Sequence, residues 1–396
     1  MMKNLCGRST TRLLAYVTLL FILTPSISGA VFLGNEINGS PFIPAQNETI
    51  WEILNHDYLS DNIDPSDVEF VNATHGWVLS QSELGTRQGM ILHTNDSGDS
   101  WHQQLYNTSQ SFTQIAVIDS ETLWVTAIGG LYYTETGGRI WNVTNIGDPN
   151  DFFYGIQFIN RTHGWTSSHT SMYKTTDGGQ NWESVESWTF DDDWGRGIHF
   201  ITPLEGWVIG FLGIYHTENG GATWVKEVTH GGGGMSFVSE TEAWVISDDW
   251  LAHMTDGETW VEKPLPRTSL LPSKLPYFSD ILFLDTNNGW IVGDESEVAY
   301  TPNGGINWYS QSFPHDNRVL AVDFINVTHG WATGWGGYIY RTTKGNSLGT
   351  PLWSGLTDSL VLWVVSAVVV VAISSTLVVR RRKQKITKTH QGVDLR

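Results

Sequence analysis

A chain of 396 residues is long enough for a large core, and a formal charge of −19 argues against binding a phosphate backbone. The ends conceal how acidic the middle is: between Val31 and Gly355 there are 12 basic against 39 acidic residues, a formal −27. The only cysteine is Cys6, so disulfides do not brace the fold, while 20 tryptophans and 41 glycines point to an all-β chain with many turns.

Residues 1–30 read as a secretory signal. Lys3, Arg8 and Arg12 precede an apolar run from Leu13 to Leu23, and Ser28-Gly29-Ala30 offers a small-residue cleavage site. Residues 31–49 are rich in Gly, Pro and Asn and read as a linker.

Residues 50–346 repeat about every forty residues. The clearest marker is Thr175-Thr176-Asp177-Gly178-Gly179-Gln180-Asn181-Trp182, a tight turn followed by tryptophan. Related octets put Asp96 before Trp101, Asn219 before Trp224 and Asn303 before Trp308. Thr136 replaces the carboxylate in the copy ending at Trp141, the copy from Asp256 to Trp260 is shortened, and the last, from Thr342 to Asn346, has no tryptophan. In these turns Thr and Asp side chains can bond turn amides, and Gly accepts positive φ. Each repeat carries a second marker, usually Gly-Trp, at Trp77, Trp124, Trp165, Trp207, Trp244, Trp290 and Trp331. In the third repeat, strands are expected at 154–159, 164–168, 171–175 and 182–185, which makes one antiparallel sheet. Such sheets at this period are propeller blades, and the second markers number them at seven. The seventh lacks a last strand. Thr49 to Leu54, with Trp51, is predicted to supply it and to close the ring.

Residues 347–359 form a juxtamembrane segment. Residues 360–379 carry no charge and, as a helix, would reach about 30 Å, the thickness of a bilayer core. The basic tail at 380–396 begins Arg380-Arg381-Arg382-Lys383, which places it in the cytoplasm and the repeats outside. The expected fold is therefore all-β, a seven-bladed β-propeller ectodomain with N-terminal strand closure, plus one C-terminal transmembrane helix. Its location is the cell membrane, with a single span. Asn38, Asn47, Asn72, Asn95, Asn107, Asn142, Asn160 and Asn326 each open an N-x-S/T sequon, so they are acceptors in a host that glycosylates exported asparagines.

The Thr-x-Asp-Gly-Gly-x-x-Trp turn is similar to the Asp-box, or BNR, repeat of sialidases and related propellers. Its pairing with a Gly-Trp strand, from about Trp51 to Asn346, most resembles the photosystem II stability/assembly factor family. The resemblance implies a propeller that does protein-assembly work on membrane complexes. A sialidase would imply an arginine triad, a tyrosine nucleophile with a glutamate partner and an Arg-Ile-Pro motif, and this chain lacks that motif.

Little else points to catalysis. Asp96, Asp177 and Asp256 fall on separate blades, too far apart to flank one bond. His93, His216 and His253 share one strand column with Tyr133, Lys174, Tyr300 and Arg341, and read as half-exposed strand positions rather than zinc ligands. Asp191-Asp192-Asp193 reads as a solvated run, with calcium as the alternative. No catalytic residue, metal or cofactor is expected. The first-to-second and third-to-fourth turns share one face, which carries the sequons Asn72, Asn95, Asn160 and Asn326. The opposite face carries the irregular loops, where Trp194, Arg196 and Trp335 are the candidate partner-binding residues. The expected function is a membrane-anchored extracellular module, non-catalytic, that binds a protein or assists complex assembly. The alternative is a glycan-binding or glycoside-hydrolysing surface protein. The expected partner is thus a protein or glycan outside the cell, with the membrane and without nucleic acid.

Overall fold

The computed structural model describes residues 49–59, 63–81, 88–185, 193, 195–247, 250–266, 277–294 and 298–352. The expected signal and most of the linker, with Asn38 and Asn47, lie outside the described residues, as do Asp191, Asp192, Trp194, the expected span at 360–379 and the tail. No helix among the described residues is long and apolar enough to cross a membrane.

Strands pair into seven antiparallel sheets, so the chain is an all-β seven-bladed propeller. The innermost strands are Asp64–Phe70, Ile115–Val117, Phe153–Phe158, Gly197–Phe200, Gly234–Phe237, Phe278–Phe283 and Val319–Phe324, one for each of blades one to seven. The ring is closed by Glu52–Leu54, which pairs with Tyr338–Thr342 as the outer strand of blade seven. Blade six gains a fifth strand, Thr350–Leu352, which lies within the stretch read from sequence as juxtamembrane.

The two tryptophan markers do different jobs. The second-strand tryptophan stacks on the phenylalanine that ends the next blade's inner strand. Trp331 on Phe70, Trp165 on Phe200, Trp244 on Phe283 and Trp290 on Phe324 lie with ring centroids 3.5 to 3.8 Å apart. The Asp-box tryptophan meets the same phenylalanine edge-on, as Trp101 meets Phe70, Trp182 meets Phe158, Trp224 meets Phe200, Trp260 meets Phe237 and Trp308 meets Phe283. In blade seven, Trp51 of the closing strand makes this contact with Phe324, at 86°. Each such aromatic pair adds about 0.5–1.5 kcal/mol beyond its buried area.

The glycine of Gly-Trp follows from that phenylalanine. A Cβ on Gly206 would sit 2.5 Å from the Phe200 ring. Blade two reverses the choice: Val117 replaces phenylalanine, and Leu123 then replaces glycine across the ladder.

The turns obey local chemistry. In blade three the Thr175 hydroxyl donates to Asp177 Oδ1 at 2.8 Å and accepts from the Gly179 amide at 2.9 Å. Asp177 Oδ1 also accepts from the Asn181 amide at 2.9 Å. Asp96, Asn219 and Asn303 repeat the pattern, and Thr136 keeps it with a hydroxyl. The shortened copy is tighter, with Asp256 accepting from the Glu258 and Thr259 amides. Every such turn is tied to the first-to-second turn of its own blade, as Gly178 N donates to Thr162 O at 2.9 Å and Gly345 N to Thr328 O at 2.9 Å. Both turn sets therefore share one face, the Asp-box face.

Candidate functional site

Two regions gather polar side chains: the axis of the ring and one cleft on the loop face.

At the axis, a side chain on or just before the inner strand of one blade accepts the inner-strand amide of the next. Asp67 takes Ile115 N at 2.9 Å and Glu69 takes Val117 N at 3.1 Å, joining blade one to blade two. Gln114 takes Ile156 N at 2.8 Å and Gln157 takes Phe200 N at 2.6 Å. Ser236 takes Phe283 N at 2.8 Å, Asp280 takes Val322 N at 3.1 Å, and Asp323 takes Phe70 N at 2.6 Å. Between blades four and five, His199 stacks on Phe237 with centroids 4.2 Å apart. The sequence carries no sign of these clasps, because a polar residue on or beside an inner strand has no mark of its partner one blade away.

Burial is the first cause that lifts all four axial carboxyls. It raises Asp67 to about 8, with Asp280 and Asp323 adding repulsion against the pull of the Ile115 amide. Asp280 rises to about 7 and Asp323 to about 6. Glu69 is raised well above its ordinary value, with Asp323 and Asp67 as the next causes. Raised carboxyls are the usual material of general acids. Here each one already holds a backbone amide, which gives it a structural task.

The loop-face cleft of about 260 Å³ lies between blades four and five. Arg196, Phe211, Leu212, His230 and the glycines 231–233 line it. The Arg196 guanidinium lies over the Phe211 ring at 5.3 Å, and Phe211 is 60% exposed. Burial lifts Tyr154 above its ordinary value, and the charge of Arg196 draws it partly back. Four other described arginines are held by carboxylates: Arg139 by Glu121, Arg161 by Asp119, Arg318 by Asp294, and Arg341 by Glu52 and Asp99. Among the described residues no carboxylate pairs with Arg196. The glycine run is required by packing, since a Cβ on Gly231 would lie 2.2 Å from the Gly210 and Phe211 carbonyl oxygens.

Asp193 corrects the reading of its acidic run as solvated. It is buried, and its carboxylate accepts from the Leu212 amide at 2.8 Å and the Tyr215 hydroxyl at 2.7 Å. Both oxygens thereby hold the turn that carries Phe211 and Leu212. Trp335 is 44% exposed on the loop face of blade seven, beneath Arg318 at 5.5 Å. It does not line the Arg196 cleft.

The histidine column faces the second-strand tryptophans across the ladder. His93 pairs with Trp77, His216 with Trp207 and His253 with Trp244. The His216 and His253 rings stack on those indoles at 4.2 and 4.0 Å. Tyr133, Lys174, Tyr300 and Arg341 hold the same register in the other blades. Among the described residues no group of three or more His, Cys, Asp or Glu is placed to hold a metal ion.

Of the sequon asparagines, Asn72, Asn95, Asn142, Asn160 and Asn326 are exposed. Asn160 Oδ1 accepts from the Thr162 amide and hydroxyl and the His163 amide, and Asn72 and Asn326 do likewise in their own turns. Asn107 differs, because its Nδ2 donates to the Tyr132 hydroxyl at 3.1 Å.

A seven-bladed Asp-box propeller with a clasped axis and a loop-face cleft is the class that this geometry defines. Within that class the chain is similar to the photosystem II assembly factors. It is 24% identical over 176 residues to the photosystem II assembly lipoprotein Ycf48 of Synechococcus sp. (strain CC9902), a match that spans 42% of this chain and 46% of that protein. The structure of YCF48 bound to D1 peptide superposes with a TM-score of 0.59 at 18% identity, over 76% of this chain and 99% of that one. The virginiamycin B lyase of Staphylococcus aureus gives the same score at 14% identity, over 75% and 99%. At such identities the superpositions show the fold alone. No family model matches the chain.

Proposed function

We propose that this chain is a non-catalytic protein-binding module of the assembly-factor kind, held outside a cell by residues 360–379, and that it takes a peptide segment of a membrane protein on its loop face. The observation that carries this reading is Arg196: an arginine without a carboxylate partner among the described residues, set over an exposed phenylalanine in an open cleft. Arginine and aromatic side chains supply most binding energy at protein interfaces. The sequence similarity to Ycf48, and the peptide bound by its structural counterpart, support a protein ligand. The aliphatic wall of Leu212 also suits an apolar peptide side chain better than a sugar ring.

Proximity crosslinking on intact cells tests the reading. The wild-type chain should capture a defined set of membrane proteins, and Arg196→Ala should reduce that capture about tenfold, the loss expected of one hot-spot residue. Capture unchanged by Arg196→Ala and by Trp335→Ala would remove the loop face as the binding surface. Turnover of a glycoside panel, abolished by Arg196→Ala, would replace binding by catalysis.

A further inference from the structure

Both ends of the described propeller open on the Asp-box face. In each blade the fourth strand runs from the Asp-box turn toward the loop face. The closing strand takes that place in blade seven, so Thr49 and Ile50 lie at its Asp-box end, where Ile50 O accepts from the Thr342 hydroxyl at 2.7 Å. At the other end, Thr350–Leu352 runs antiparallel to Trp308–Ser310, with Thr350 opposite Ser310 and Leu352 opposite Trp308. Trp308 directly follows its Asp-box turn. The chain is thus heading for the Asp-box face when it reaches Leu352.

This end is firmly seated. Leu352 packs on the core cluster that contains Trp308 and Phe283. The Ser310 carbonyl leaves no room for a side chain at Gly349, whose Cβ would lie 1.7 Å away.

Length then favours one orientation. From Leu352 to Leu360 there are eight residues, which extend to at most about 28 Å. A six-residue blade strand is about 20 Å tall. Turning the loop face to a bilayer would spend about 20 Å of that reach on running back along the blade. The Asp-box face needs no such return.

We propose that the Asp-box face of blades six and seven rests toward a lipid surface, and that the loop face, with the Arg196 cleft, points away from it. The inference rests on the anchoring by residues 360–379 proposed above. Ile306, an aliphatic side chain 71% exposed in the Asp-box turn of blade six, then lies on the lipid side. The peptide ligand approaches from the outer side, across the face that lacks the Asn72, Asn160 and Asn326 turns.

Two single-cysteine variants of the full chain with Cys6→Ser test this: Ile306→Cys, and Asp316→Cys in the exposed loop-face connection after the same blade. Each carries a donor fluorophore, in vesicles of phosphatidylcholine doped with an acceptor lipid. Transfer from position 306 should exceed that from position 316 at least about twofold, since a blade height of about 20 Å separates them. Equal transfer, or more from position 316, overturns the orientation and leaves the anchoring intact. A full chain that does not associate with vesicles overturns the anchoring, and this inference with it.

Discussion

The ring is held together differently on its two sides. Around the closure, blades six, seven and one are clasped to their neighbours by Asp280, Asp323, Asp67 and Glu69. Across the ring, Gln114 and Gln157 do the same for blades two and three. The geometry is shared, with one side-chain oxygen on one backbone amide, so the clasp does not need a charge. Charge on the closure side is an added feature with a thermodynamic consequence, because four half-buried carboxyls are gathered at the axis. The closure side also depends on contacts between the two chain ends, whereas the far side is continuous in sequence.

The largest expected difference tests that dependence. Trp51 is fully buried, and its indole donates to Gln311 Oε1 at 3.0 Å while its ring meets Phe324. Trp51→Ala should cost about 3–5 kcal/mol, the usual range for a buried tryptophan. Trp182→Ala, its counterpart in blade three, should cost less, because that indole is only half-buried and its strand need not hold a distant chain end. Urea unfolding of both variants measures this. Equal losses would mean that closure by the first strand adds nothing beyond ordinary packing.

Next in size is the pH dependence of the carboxylate side. A carboxyl whose pKa rises on folding holds its proton more tightly in the native state. Its contribution is complete below the unfolded value of 3.8 and is lost as pH rises through the folded values, about 6 for Asp323, 7 for Asp280 and 8 for Asp67. The Asp-box carboxyls act in the opposite direction. Asp177 is held below its ordinary value by the Asn181 amide and Asp256 by the Thr259 amide, so their contribution is lost on acidification below about pH 4. Stability should therefore peak near pH 5 and fall toward pH 8.5. Glu69→Gln keeps an acceptor for Val117 N and removes one charge. It should raise the melting temperature by about 2–4 °C at pH 8 and change little at pH 4. A melting temperature that climbs steadily from pH 5 to 8.5 would show that these carboxyls ionise without cost.

The sequence revealed what repeats and hid what joins one repeat to the next. Trp182 and Asp177 recur at fixed spacing, so the blade, its turn and the number of blades were readable from that period. The closing role of Trp51 was readable because blade seven lacked its own tryptophan. The phenylalanine column also had a signal, an aromatic six residues before the Gly-Trp glycine, as Phe200 stands before Gly206. The signal is interrupted, because Phe237 precedes Ala243, and Val117 precedes Leu123. The axial clasps had none: Asp67 and Gln157 look like any polar residue on a strand, and their partners lie about one repeat away. Asp193 misled for a related reason. A run of three aspartates suits water, yet this one is buried because Tyr215 and the Leu212 amide, some twenty residues on, meet it.

The smallest expected effect separates the two sides by the work of an arginine. Arg341 sits in the column opposite Trp331 and ties blade seven to its neighbour, donating to Glu52 at 2.8 Å, to Asp99 at 2.7 Å and to the Ser97 carbonyl at 3.1 Å. Glu52 and Asp99 are well exposed, so solvent weakens these pairs, and Arg341→Ala should cost only about 1 kcal/mol. Arg196 makes no such tie among the described residues. Its removal exposes one face of Phe211 and breaks no clasp, so Arg196→Ala should change stability by no more than about 0.5 kcal/mol while lowering capture of the peptide partner. An arginine that leaves stability alone but is needed for binding is the signature of a contact residue. If Arg196→Ala instead destabilises the ring as much as Arg341→Ala does, the cleft is part of the scaffold, and the far side of the propeller is built as the closure side is.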